Sequence, residues 1–266
     1  MRKIKNFFIQ TFHPKNLQNF ALQFFLKGNT VYCPCCYASY ITFLPAGIEK
    51  RANAKCLKCG SLERHRALWL FLHQHTKIFS TKNRILHIAP EIQLYKAFSK
   101  NKNIDYHPID LSPENYRYGA KTIAMDVTAL KYPVDSFDVV ICNHVLEHIP
   151  DDKTALREIY RVLCDGGWAI LNVPVHKERD QTYEDFTITD PVQRKILFGQ
   201  PDHVRVYGKD YITRLQDAGF HVEVNKFIDM YSHNEQFRYG IVPQEEIYYC
   251  SKKAKETPLN YDKNPA

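Results

Sequence analysis

Residues 137–175, FDVVICNHVLEHIPDDKTALREIYRVLCDGGWAILNVPV, decide the fold. The opening FDVVICNHV is nearly all apolar, as a strand buried on both faces requires. DDKTALREIYRVL then reads as a helix, with Asp152 as its expected N-cap. It stops before Cys164-Asp-Gly-Gly167, and GWAILNVPV reads as a further strand. Strands separated by helices of this length imply a mostly parallel sheet with helices on both faces.

The same alternation extends outward in both directions. SLERHRALWLFLHQHTKIF (61–79) reads as a helix with Ser61 as N-cap and an apolar face that includes Leu62, Leu68, Trp69 and Leu72. RILHIA (84–89), DYHPIDLS (105–112) and AKTIAMDVT (120–128) read as strands, with EIQLYKAFSK (91–100) as a helix between the first two. Downstream, GKDYITRLQDAGF (208–220) is a helix ending at Gly219, and HVEVNKFI and EEIYYCSK supply the last two strands. The expected class is α/β: a doubly wound, mostly parallel sheet. Ligands of such sheets sit beyond the carboxyl ends of the central strands.

The 266 residues carry a net charge of +7, unevenly spread. Residues 1–80 hold twelve Lys/Arg against two acids, Glu49 and Glu63, whereas the remainder holds 24 Lys/Arg against 27 Asp/Glu. A basic appendage on a mildly acidic body points to an anionic partner, nucleic acid or a lipid surface, or else to a solvated basic face. No apolar run approaches the roughly 20 residues that span a bilayer. The amino terminus lacks the apolar core and cleavage site of a secretory signal, so the expected compartment is the cytoplasm. Residues 1–29 mix five Lys/Arg with six Phe and no acid. Such a helical segment suits peripheral contact with the inner membrane face, or packing on the chain's own core as a lid.

Two CxxC pairs, Cys33/Cys36 and Cys56/Cys59, fall within the spacing of a four-cysteine zinc site. Two such knuckles complete a tetrahedron of thiolates, which leaves no open position and makes Zn(2+) structural. Gly60 suits the second knuckle, and the intervening YASYITFLPAGIEKRANAK can supply a short hairpin. Cys35 is the spare thiol. Cys142, Cys164 and Cys250 stand alone and read as buried small hydrophobes.

The strand ends carry the polar residues. Asp110 closes the strand after His87 and can accept hydrogen bonds from both hydroxyls of a ribose. Asp126 closes the next one, where its carboxylate can accept from an adenine amino group while the Val127 backbone serves the ring. Asn143-His144 end the strand of the opening quotation, facing the place of a reacting group. With these residues in order, the run from Met125 to Val175 resembles the type-11 group of class I S-adenosylmethionine-dependent methyltransferases. The resemblance covers roughly residues 83–250. It implies a Rossmann-like, seven-stranded sheet whose last strand inserts antiparallel, with S-adenosyl-L-methionine across the carboxyl ends of the first four strands. It also implies that Asp110, with its neighbour Leu111, holds the ribose, that Asp126 and Val127 hold the adenine, and that Asn143 and His144 lie near the methionine part.

The first turn departs from that pattern. Where the family has aliphatic-acid-aliphatic-Gly-x-Gly, this chain has Leu86-His87-Ile88-Ala89-Pro90-Glu91. His87 replaces the acid, and Glu91 replaces the second glycine and is expected to supply the missing carboxylate. Ala89 is small enough for close approach, and Pro90 holds the loop shape. HIAPE beside a zinc ribbon and SLERHR also resembles a recurrent bacterial subgroup of these enzymes. The expected layout is a basic aromatic segment over 1–29, a small N-terminal zinc ribbon over 30–62, a methyltransferase domain over 63–252 and a polar tail over 253–266.

His144 and His203 are the candidate general bases, and His203 and Arg205, in FGQPDHVRVYG, the candidate substrate contacts. Glu147 and His148 read as capping or packing residues. The expected acceptor is an O or N atom of an anionic or lipid-linked small molecule or glycan. Two alternatives remain: methylation of ribosomal or other RNA, with Lys50, Arg51, Lys55 and Lys58 of the ribbon on phosphates, and a catalytically silent cofactor-binding or zinc interaction module.

Overall fold

The computed structural model describes residues 22–115, 119, 121–243 and 245–253. In chain order the elements begin with β1 (Lys27–Cys33), β2 (Ala38–Tyr40), β3 (Leu44–Ala46), β4 (Arg51–Lys55) and helix α1 (Glu63–His75). Next come β5 (Asn83–Ile88), α2 (Ile92–Lys100), β6 (Ile104–Asp110), β7 (Ile123–Ala124), β8 (Phe137–Asn143), α3 (Asp152–Val162) and β9 (Leu163–Asn172). The carboxyl-terminal part holds β10 (Tyr183–Glu184), α4 (Pro191–Phe198), β11 (Arg205–Val206), α5 (Tyr211–Asp217), β12 (His221–Asn225), α6 (His233–Tyr239) and β13 (Ile247–Ser251).

The chain divides into two compact units. One holds residues up to 82 together with 91–104 and 225–247, and the other holds 83–90, 105–224 and the residues from 248 on. This division does not coincide with a boundary at residue 62, because α1, α2 and α6 join the cysteine-rich strands. Most of the expected 1–29 segment lies outside the described residues. Of its end, residues 27–29 open β1 rather than continuing a helix, and Phe24 and Phe25 are exposed rather than packed as a lid.

The second unit is built on a seven-stranded sheet of order β12-β13-β9-β8-β5-β6-β7. β5 runs parallel to β8, β8 to β9 and β6 to β7, whereas β13 runs antiparallel to β9. The expected Rossmann-like sheet with an inserted antiparallel strand is therefore present. Its apolar strands pack Leu86, Val140 and Leu171 against Leu156 and Ile159 of α3 and Leu215 of α5. Each such side chain contributes roughly 1.5–3 kcal/mol by leaving water.

The first unit is held by small antiparallel pairs, β1 with β2 and β3 with β4, the latter being the expected hairpin. Its centre is Arg66, which is fully buried. The guanidinium donates to the carbonyls of Ser61 (2.7 Å), Tyr239 (2.7 Å), Ala54 (2.9 Å) and Gly240. It also lies 4.3 Å from the Phe43 ring centre. Gly240 (φ +59°) has no room for a side chain, since a Cβ there would meet Arg66 and Phe43 at 2.6–2.7 Å.

Three local expectations are corrected. Ser61 is not a helix cap, because α1 is preceded by Leu62 without a side-chain cap; Ser61 is buried with its hydroxyl 3.2 Å from Cys33 Sγ. The cap of α3 is Asp151, which accepts from Thr154 N, and its neighbour Asp152 turns inward to arginine. Cys164 is not fully buried, and its thiol donates to the Asp135 carbonyl at 2.9 Å.

Candidate cofactor site and cysteine cluster

Parallel pairing brings the expected cofactor residues to one edge of the sheet. Ile88 pairs with Cys142 and Asp110 with Ala124, so β5, β6, β7 and β8 all end on the same side. Beyond these ends stand Ala89, Asp110, Asp126 and Asn143. Ala89 N donates to the Ile109 carbonyl at 2.8 Å, and Met125 N to the Asp110 carbonyl at 2.9 Å, which ties the turns together.

Ala89 has φ +50°, the left-handed region that glycine enters at little cost. For an L-residue this conformation costs roughly 1–2 kcal/mol. The chain therefore keeps the backbone shape of a glycine turn without the glycine, and alanine is the smallest L side chain that can do so. Pro90 is buried behind it. His87 is fully buried with Nδ1 2.9 Å from Tyr106 Oη. Glu91 directly precedes α2 as its N-cap residue, without a side-chain hydrogen bond to the helix.

The two acids are held by their own turns. Asp110 Oδ1 accepts from Ser112 N at 2.7 Å, and Leu111 between them is 73% exposed. Asp126 Oδ1 accepts from Thr128 N and Oγ1, both at 2.8 Å, and Val127 is buried. Each turn leaves a carboxylate at the sheet edge in one orientation, which suits recognition of ribose hydroxyls and a base amino group. Asn143 is buried at the end of β8, in register with Asn172, whose side-chain oxygen accepts from Tyr248 N at 2.9 Å.

His144 follows in the left-handed region, φ +57°, with its N–H on the Asn172 carbonyl at 2.8 Å. Its Nδ1 lies 3.4 Å from Glu147 Oε1. Burial alone would raise the Glu147 pKa, but the hydrogen bond and charge of His144 turn the shift downward. His203 is buried, which lowers its pKa.

Arg205 is not placed to hold a substrate. It is buried, donating to Glu184 Oε2 at 2.9 Å and to the carbonyls of Leu146, Ile149 and Pro150. Around it, Tyr207 Oη donates to Asp152 at 2.7 Å, and Arg214 bridges Asp152 (3.0 Å) and Glu184 (2.9 Å). Only the ends of this network, around Asp152 and Arg205, were picked out from the sequence. Buried Asp and Arg need partners, but no spacing shows which ones.

In the first unit the cysteines meet as expected. Cys33, Cys36, Cys56 and Cys59 bring their sulfurs within 4.8 Å of one another, with Cys33–Cys59 and Cys36–Cys56 at 3.6 Å. Four sulfurs at about 2.3 Å from one ion fit that spacing. Cys35 itself stands outside the cluster. Of the four cations named for RNA, Arg51 is already bound to Glu63 at 2.9 Å.

Residues 92–171 match a family model described as a methyltransferase domain, Methyltransf_11. This stretch, under a third of the chain, is similar to a methyltransferase domain. The match to this domain starts at Ile92, just past the turn that lacks glycine. The chain is 27% identical over 143 residues to the chloroplastic 2-methyl-6-phytyl-1,4-hydroquinone methyltransferase 1 of Oryza sativa, covering 53% of this chain and 39% of that protein. It is 26% identical over 159 residues to the uncharacterized methyltransferase YcgJ of Bacillus subtilis, covering 59% and 53%. The crystal structure of YcgJ superposes with a TM-score of 0.47 at 18% identity, covering 70% of this chain and 94% of that one. The chain thus spans about half or less of the length of these two relatives. No helix among the described residues is long and apolar enough to cross a membrane.

Proposed function

We propose that the protein transfers the methyl group of S-adenosylmethionine to an oxygen or nitrogen of a small molecule, glycan or lipid-linked acceptor. The observation that carries this reading is the meeting of Ala89, Asp110, Asp126 and Asn143 at one sheet edge, in the order the methyltransferase domain requires. The left-handed Ala89 lets the backbone approach the methionine part, Asp110 holds the ribose, and Asp126 with the Val127 backbone holds the adenine. Asn143 and His144 border the sulfonium. Small-molecule acceptors in the names of related proteins, a phytylated hydroquinone in rice and ajmaline in Rauvolfia serpentina, support the acceptor class.

The cofactor supplies an activated methyl carbon. When bound, it would offer that carbon to an acceptor lone pair with the sulfide as leaving group, the acceptor proton passing to a base or to solvent. The protein's part is alignment and exclusion of water. His144, with Nδ1 3.4 Å from Glu147 Oε1, is the nearest base to the end of β8. The four cysteines, a closed set of thiolates, would hold zinc structurally.

Calorimetric titration with S-adenosylhomocysteine tests the reading. Binding of the intact protein and at least a tenfold loss in Asp110→Ala, about 1.4 kcal/mol, is the expected result. Absence of binding by the zinc-loaded intact protein would remove the assignment.

A further inference from the structure

The turn after β8 carries a second cluster that the cofactor reading does not use. Glu147, His148 and His203 each offer one ligand atom, and these atoms lie within 4.8 Å of one another. Glu147 is 2% exposed and His203 5%. Glu147 Oε2 and His203 Nε2 are both buried without a hydrogen-bond partner among the described residues.

A buried carboxylate demands a cation. The same unit obeys that rule nearby: Asp152 meets Arg214, and Glu184 meets both Arg205 and Arg214. Among the described residues Glu147 meets neither arginine nor lysine, and its other oxygen lies by His144. The two histidines point to what is missing. His203 Nδ1 lies 3.0 Å from the Phe198 carbonyl, a contact that needs the proton on Nδ1. Its Nε2 then carries a lone pair, the form that binds metal, and a carbonyl on the other nitrogen is the usual support for a metal-bound imidazole. His148 is set in the same way, with Nδ1 3.3 Å from both the carbonyl and the carboxylate of Asp202. The rings meet edge to face, 4.7 Å between centres at 84°.

We propose that Glu147, His148 and His203 bind a first-row divalent cation. Two imidazoles and one carboxylate suit zinc, iron, cobalt or manganese. Bonds of about 2.1 Å would draw the three atoms inward, and His148, whose side chain is 34% exposed, is the ligand free to turn. Three protein ligands leave coordination positions open, unlike the closed cysteine cluster. Those positions would take an oxygen donor of the acceptor and acidify its hydroxyl, a role that rests on the methyltransferase reading. The cation site itself does not.

The test is metal content. Elemental analysis of purified protein, followed by Mn2+ titration read by electron paramagnetic resonance, gives the total metal bound per chain. Wild type should hold one equivalent more than Glu147→Gln or His148→Gln. The second variant changes a partly exposed side chain and should leave the fold intact. Loss of a supporting group already costs 10–100-fold in metal affinity, so loss of a ligand should weaken Mn2+ binding by roughly 100-fold or more. Equal metal content and equal Mn2+ affinity in wild type and both variants would overturn the site. S-adenosylhomocysteine titration of the same wild-type sample reads the methyltransferase assignment separately: metal uptake without cofactor binding supports the site and removes its proposed role.

Discussion

Arg205→Met separates a structural arginine from a substrate-binding one. The guanidinium is buried and donates to Glu184 and to three backbone carbonyls, those of Leu146, Ile149 and Pro150. Methionine fills most of the volume and supplies no donor. Glu184 keeps Arg214, so its charge stays paired and is not the main loss. The carbonyls of Ile149 and Pro150 lose this donor, at up to roughly 1–3 kcal/mol each, whereas that of Leu146 keeps Ile149 N at 3.2 Å and Tyr207 Oη at 3.3 Å. Relief of the arginine's own desolvation offsets part of this. A net loss of about 3–5 kcal/mol follows, the range for breaking a buried ionic network. With a urea slope of about 2.5 kcal/mol/M, at the upper end for small domains, the midpoint should fall by about 1.2–2 M. Folded variant should still bind S-adenosylhomocysteine, because Arg205 is no part of the proposed cofactor set. A midpoint shift below about 0.2 M would refute the structural assignment and return Arg205 to the substrate.

The remaining expectations are smaller. Cys56→Ser should lose bound zinc as measured by elemental analysis, whereas Cys35→Ser should keep it, because Cys35 Sγ stands outside the cluster. Equal loss in both would contradict the assignment of ligands. Ala89→Val should destabilise by about 2 kcal/mol or more, since a β-branched residue is an outlier at positive φ; Ala89→Gly should change stability by no more than about 1 kcal/mol, relief of strain being offset by unfolded-chain entropy. Burial raises the Glu184 pKa, but hydrogen bonds from Arg214 and Arg205 bring it below the usual carboxylate value. Its contribution to stability is present above the unfolded pKa of about 4.3 and is lost as pH falls through the lowered folded value. Glu184→Gln should therefore narrow the stability difference between pH 6 and pH 3 relative to wild type in urea titrations.

Much of the frame could be read from apolar pattern alone. β8, α3 and β9 follow from a strand without polar interruption, a helix, and a second apolar run. Asp110 and Asp126 could be placed because strand ends in parallel sheets share one edge. The departure at the first turn was also legible as a missing glycine, but its resolution was not: a left-handed alanine leaves no trace in composition. Helices α4 and α6 were missed, the first because its face is largely exposed, the second because it is seven residues long. Cap positions erred by one residue at both α1 and α3. In each case the residue taken for the cap, Ser61 or Asp152, is polar for a different reason, a buried contact with Cys33 or with Arg214 and Tyr207.

The distinction that matters for function is whether a polar side chain has its bonding capacity filled within its own unit. Arg66 and Arg205 look from sequence like surface cations available to a phosphate or a substrate acid, and both are satisfied by backbone carbonyls. Glu147 and His148 look like ordinary residues of a turn. Yet among the described residues Glu147 and His203 each keep a buried atom unpartnered, and the side-chain pairing that Glu147 does make is to His144, the first residue beyond the strand that ends at Asn143. Arg205 gains its meaning from the same turn: by gripping the carbonyls of Leu146, Ile149 and Pro150 it fixes Glu147 and His148 between them. An arginine that binds no substrate would thus still govern the site, through the position of a carboxylate and an imidazole. Arg205→Met should then weaken Mn2+ uptake by the folded protein while sparing S-adenosylhomocysteine. Unchanged Mn2+ affinity in that variant would show that the turn keeps its shape without the grip.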